Sequence, residues 1–121
     1  MIEEPQDDVS AIIAGFAAAL SSPAEPLSLV VRFQVREGDQ AAVEAAFAAA
    51  RGPTGQERGV MSYDLNREAA DDTRFLVYER WRSLADLEAH LRTEYIAKLR
   101  KELSRLIIGA PEFHVFVPAW D

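Results

Sequence analysis

His90 is the residue of this chain best placed to do chemistry near neutral pH. It follows Leu87 by three positions and precedes Leu91, so on a helix it lies at the edge of an apolar face. From that edge it could line a pocket against a sheet. A neutral imidazole there could accept a proton from a hydroxyl, because its ordinary pKa lies near neutrality. The alternative is a histidine that only marks the boundary of the buried face. Tyr95 lies five residues on, turned away from His90 but within reach of a pocket rim; amphipathic packing also explains it. Tyr63 and Tyr78 sit in strand-like runs and could offer hydroxyls and rings to an aromatic ligand, although sheet and interface packing explains them equally well. Trp81 closes one of these runs, as a pocket wall or as hinge packing. Arg32 and Arg80 lie inside strands and could steady an anion, or pair with a glutamate of another strand or subunit. His114 alternates away from Phe113 and Val115 and suits an interface or a surface.

Composition narrows the chemistry. The 121 residues include no cysteine, which removes thiol nucleophiles, disulfides and thiolate metal sites. Two histidines far apart in sequence, with no HExxH-like spacing, leave no metal motif, and the resemblance described below implies that no cofactor is needed. Ser83 has no nucleophile-elbow context. The glycines of GPTGQERG, residues 52–59, are too scattered to cradle phosphate. Residues 1–26 hold Glu3, Glu4, Asp7, Asp8 and Glu25 with no Lys or Arg, so five of the seven net negative charges lie there and the remainder is near balance. Nucleic-acid binding is disfavoured, since it needs a basic footprint. No apolar run is long enough to span a bilayer. An acidic start unlike a signal peptide, and the lack of cysteine, fit a cytoplasmic location.

The elements that must position these groups are legible from periodicity. Residues 9–20 place Val9, Ile12, Ile13, Phe16 and Leu20 on one side of a helix, which Asp7 or Asp8 could cap. That helix is expected to dock on the domain or on a partner. Residues 27–35 alternate as a strand, with Leu29, Val31, Phe33 and Val35 on one face. A helix follows over 40–51, with Asp39 as its expected cap, and then a linker over 52–59. Strands are expected over 60–66 and 73–81. At Ser83 the period changes from two to helical, through Leu84, Leu87 and Leu91, with Ser83 and Asp86 placed as a capping box. A bend is expected near Arg92 and Thr93. Gly109, Ala110 and Pro111 should stop the last helix before a strand over 112–117.

The resulting fold class is α+β: a ferredoxin-like β-α-β-β-α-β unit with an antiparallel sheet, over residues 27–121. An acidic extension with its extra helix occupies residues 1–26. The sheet face away from the helices is too apolar for solvent. It would hold Val30 and Phe116, with some of Met61, Tyr63, Leu65, Leu76 and Tyr78 depending on register. Packing across a two-fold axis would cover it, which predicts a homodimer through the open sheet face.

The segments GVMSYDL, residues 59–65, and FLVYERWRSLADLEAH, residues 75–90, resemble the antibiotic biosynthesis monooxygenase family. The resemblance spans roughly residues 27–118. It implies subunits that pair as a dimeric α+β barrel, with oxidation of a quinol or polyphenolic aromatic by dioxygen, in many members without metal or flavin. On that reading His90 is the catalytic base, and Trp81, Tyr78, Tyr63, Tyr95 and Arg32 contact a small aromatic ligand. Tyr95 stands where family members often carry a second histidine. Haem degradation, the activity of one branch, fits poorly, since no asparagine occurs in residues 27–35. Two other readings are a non-catalytic dimeric binding or stress-related domain, and an isomerase or lyase acting on a small ring.

Overall fold

Alternating apolar residues make four strands, and these pair into one antiparallel sheet in the order β2-β3-β1-β4. The computed structural model describes residues 8–120. Its elements run α1 (Asp8–Ala19), β1 (Leu27–Val35), α2 (Gln40–Gly55), β2 (Val60–Arg67), β3 (Arg74–Trp81), α3 (Leu84–Leu91), α4 (Glu94–Leu106) and β4 (Ile107–Phe116). This is the ferredoxin-like order, with α1 added in front and the second helical region divided in two.

All four helices lie over one face of the sheet, and two apolar clusters hold them there. Phe33, Val35, Phe75 and Val77 pack with Val43 and Phe47 of α2 and with Ile96 and Leu99 of α4. Leu27, Leu29 and Trp81 pack with Leu84 and Leu87 of α3 and with Phe16 of α1. Val31, Tyr63 and Leu91 touch both clusters, so they mark the seam between them. The first helix is docked as expected: Phe16 is buried, its ring meets Phe113 at 6.3 Å, and Ser10 accepts a hydrogen bond from Arg92 at 3.0 Å. Asp7, one of its two expected caps, lies outside the described residues.

Several local expectations change. The second helix does not stop at Arg51 but continues through Pro53 to Gly55. The reason is its inward face, since Phe47, Ala50 and Thr54 continue at helical spacing and all three are buried. Asp39 stands at the N-cap of α2, but its side chain makes no capping hydrogen bond. Ser83 does cap α3, accepting from the Asp86 amide. The reciprocal arm of the box is replaced by a hydroxyl-to-carboxylate bond from Ser83 to Asp86, because aspartate is one methylene shorter than glutamate. The expected bend is a full break: Thr93 caps α4 through the Ile96 amide and donates to the His90 carbonyl at 2.8 Å. Gly109, Ala110 and Pro111 do not end the helix. They lie within β4, where the pairing to β1 jumps from Arg32↔Glu112 to Gln34↔Ile108. The extra residues form a bulge, and Gly109 takes the positive φ of 72° that this requires.

Register also decides the faces. Tyr63 pairs with Glu79 and Leu65 with Val77, so both point to the helices and not to the open face. The open face carries Val30, Arg32, Leu76, Tyr78, His114 and Phe116. Among the described residues, no helix is long and apolar enough to cross a membrane.

Candidate active site

Three elements converge on His90. The break between α3 and α4 leaves it in the last turn of α3, buried at 2% exposure, with its carbonyl held by Thr93. The turn after α2 carries Glu57 across to it. That turn is fixed by the Glu57 amide donating to Thr54 at 3.0 Å and by Gly59, whose carbonyl accepts from the Arg82 amide at 2.9 Å. Gly59 has to be glycine, because a Cβ there would overlap Asp86 far inside van der Waals contact. From β3 come Glu79 and Trp81, two positions apart and therefore on the same face.

The polar groups form a chain. His90 Nδ1 lies 2.8 Å from Glu57 Oε2, and the Tyr95 hydroxyl donates a very short hydrogen bond to the same oxygen. His90 Nε2 faces Glu79 Oε1 at 4.0 Å, too far for a direct hydrogen bond. The other tie on Glu79 Oε1 is the indole N–H of Trp81, donating at 2.9 Å. Trp81 and Tyr63 pack against the imidazole, with ring centroids 4.4 and 5.3 Å away.

Burial sets the charges. It holds His90 below the ordinary histidine value, against the pull of the Glu57 hydrogen bond. It also pushes Glu79 up to about 7, although the Trp81 hydrogen bond pulls the other way. Tyr63 is raised by burial, and after that by the charge of Glu79. Tyr95 is pushed up to about 12 by burial and by its bond to Glu57. The imidazole is therefore neutral at pH 7, and the tautomer that suits Glu57 keeps the proton on Nδ1, donated to Glu57 Oε2, with the lone pair on Nε2.

His90 and Glu79 both line a cavity of about 390 Å³ on the seam between the two apolar clusters. The sheet, α1 and α4 wall it with Phe16, Val31, Phe33, Leu99 and Phe113 among others, and Tyr63, Glu79 and His90 are polar groups on its lining. The 4.0 Å gap between Nε2 and Glu79 Oε1 suits a bridging hydroxyl, whose oxygen would lie about 2.8 Å from both. Among the described residues, no three of His, Cys, Asp and Glu are grouped to hold a metal ion.

Of the residues singled out from sequence, the structure gathers His90, Tyr63, Trp81 and Tyr95. Tyr63 lines the cavity, Trp81 backs the imidazole, and Tyr95 reaches it through Glu57. Tyr78 and Arg32 are not brought to this place. They alternate onto the open sheet face, where the Tyr78 hydroxyl lies 3.3 Å from Ser28 Oγ. Glu57 and Glu79 were not foreseen. For Glu79 there was a signal: a carboxylate falling in register with the apolar set Phe75, Val77 and Trp81.

The antibiotic biosynthesis monooxygenase family matches residues 26–102. A Mycobacterium tuberculosis protein named "Putative monooxygenase Rv0793" is 30% identical over 93 residues, spanning 77% of this chain and 91% of that one. Its solved structure superposes with a TM-score of 0.74 at 27% identity, over 80% of this chain and 98% of that one. A solved structure from Nitrosomonas europaea, 21% identical, shares the fold with a TM-score of 0.76 over 84% of this chain and 97% of its own. Matching more than half of its length, this chain belongs to the antibiotic biosynthesis monooxygenase family.

Proposed function

We propose that the protein is a cofactor-independent monooxygenase that oxidises a quinol or polyphenolic aromatic with dioxygen, acting as a homodimer. The observation that carries this reading is a clamped neutral imidazole and a buried carboxyl of pKa about 7, side by side on the wall of an otherwise mainly apolar cavity. Such a cavity suits an aromatic ring, and the pair suits removal of its phenolic proton.

In this mechanism His90 Nε2 takes the phenolic proton, while Glu57 holds the ring and stabilises the imidazolium. The phenolate gives one electron to dioxygen, leaving a phenoxyl radical and superoxide. These couple at a ring carbon that bears hydrogen, and the imidazolium protonates the peroxide. Glu79 or His90 then removes the carbon-bound proton as the O–O bond breaks. A carbonyl forms on the ring and the second oxygen leaves as water. The balance is C–H plus O–H plus O₂ giving two carbonyls and H₂O. Trp81 keeps Glu79 in place, and Tyr63 offers an edge to the ring.

The dimer reading rests on the open face, where Val30, Leu76 and Tyr78 are half-buried and Phe116 is 52% exposed. Tyr78 and Arg32 would meet the partner there.

Oxygen uptake tests the chemistry, using a dihydroxynaphthalene with a free para position as substrate. The wild type should consume oxygen well above the uncatalysed rate, and His90→Ala should lose at least about 100-fold of that gain, the usual contribution of a general base. Equal uptake by the two proteins removes His90 from the reaction. The paired His90 and Glu79 would also serve an isomerase, and turnover under nitrogen would favour that reading instead.

A further inference from the structure

The cavity has polar groups in two places, and the second is α4. Arg100 and Ser104, one helical turn apart and hence on one face, both line it; Ser104 is exposed and its hydroxyl donates to the Lys101 carbonyl at 2.6 Å, which leaves Arg100 as the group for a ligand. Their neighbours on that wall are Leu99, Leu103 and Ile107. Arg100 is half-buried, and among the described residues it has no ion pair. The arginines around it are engaged: Arg92 with Glu88 and Arg105 with Glu102, each at 3.0 Å. An arginine that lines a mainly apolar cavity and has no carboxylate partner can offer its guanidinium to an anion there.

Position gives the geometry of that anion. Ile96 begins the α4 wall just beyond His90 and Tyr95. The helical rise then sets Arg100 about 6 Å and Ser104 about 12 Å farther along. A ligand with its hydroxyl at His90 and Glu79 would therefore reach Arg100 with a group on its opposite end. Charge also fixes the direction. The reversed ligand would bury its anion beside Glu79 among apolar side chains and leave Arg100 without a partner, so the wrong orientation is disfavoured.

We infer that Arg100 makes the cavity selective for phenolic aromatics that carry a carboxylate at the end remote from the reacting hydroxyl. This rests on the proposed site for the placement of the hydroxyl, but the selectivity itself is a property of binding. Arg100 is a specificity-determining residue, with no part in the oxidation.

Binding calorimetry under nitrogen separates the two claims. The probes are a hydroxynaphthoate with hydroxyl and carboxylate on opposite rings, and its neutral methyl ester. Wild-type protein should bind the acid about tenfold more tightly than the ester, the scale of a hydrogen bond to a charged group. Arg100→Gln should bring the ratio close to one, and Arg100→Lys should restore part of it. Circular dichroism confirms that each variant is folded. Equal affinities in the wild type, a preference that survives Arg100→Gln, or no binding of either probe at millimolar concentration overturns the assignment. Oxygen uptake is read separately with the dihydroxynaphthalene. Acid preference without uptake sinks the oxygenase reading and leaves Arg100 standing, and uptake without acid preference does the reverse.

Discussion

Glu57 and Glu79 flank one imidazole, yet their surroundings give them different tasks. Glu57 accepts from both His90 and Tyr95, so it orients. Glu79 is buried with one indole N–H, so it stays protonated to near neutrality. The sign of its effect on stability follows. Its folded pKa of about 7 lies above its ordinary 4.5, so the folded state binds more protons between those values. The protonated carboxyl is fully accommodated below pH 4.5, and stability falls as pH rises through 7, by on the order of 3 kcal/mol. His90, whose pKa is lowered, acts in the opposite sense: its contribution is present above its ordinary value and is lost on acidification. Glu79→Gln should therefore be more stable than the wild type at pH 8 and close to it at pH 5, read as chemical denaturation midpoints. A wild type that gains stability relative to Glu79→Gln on going from pH 5 to 8 contradicts the assignment. Sequence showed Glu79 as an acid in an apolar register, but not that it would meet His90. That meeting depends on a helix break, and the residues around Arg92 and Thr93 suggest only a bend. Glu57 lay in a segment read as a linker, and nothing local distinguished it from a surface acid.

At the scale of elements, the site depends on where helices end. The α2 inward face runs on to Thr54, which delivers Glu57 one turn later. The strand periods and the change of period at Ser83 were plain in sequence because alternation and helical spacing are local. The length of α2 was not, because Gly52 and Pro53 argue for a stop while burial of Thr54 outweighs them. The bulge in β4 was hidden for a similar reason: Gly109 and Pro111 look like a terminator until β1 pairs around them. Gly59 is the element-scale test. Gly59→Ala would force its new methyl against Asp86, shifting either the α3 cap or the turn that carries Glu57. A loss of about 1–3 kcal/mol is expected, the usual cost of overpacking, together with a fall in activity. Thermal unfolding and oxygen uptake measure the two; an unchanged melting temperature would show that the turn can yield freely.

Across the whole molecule, the helices close one sheet face and leave the other bare. Val30 and Phe116 of that bare face were legible in sequence; the directions of Tyr63, Leu65, Leu76 and Tyr78 were not, since a one-residue change of register turns every side chain over. The open face now excludes Tyr63 and Leu65 but keeps Val30, Leu76, Tyr78 and Phe116. A homodimer across it should sediment at about twice 13.4 kDa, and Leu76→Asp should shift the population to monomer by placing a charge in the interface. A wild type that sediments as a monomer at all concentrations rejects this arrangement.

If His90 and its carboxylates drive insertion of one oxygen atom from dioxygen, the product carries that atom. Mass spectrometry of the product made from a dihydroxynaphthalene under isotopically heavy dioxygen reads it out. One heavy atom is expected on the ring, the other in water, and the labelled product should be lost in His90→Ala. Product without heavy oxygen, or labelled product formed equally by His90→Ala, would contradict this insertion.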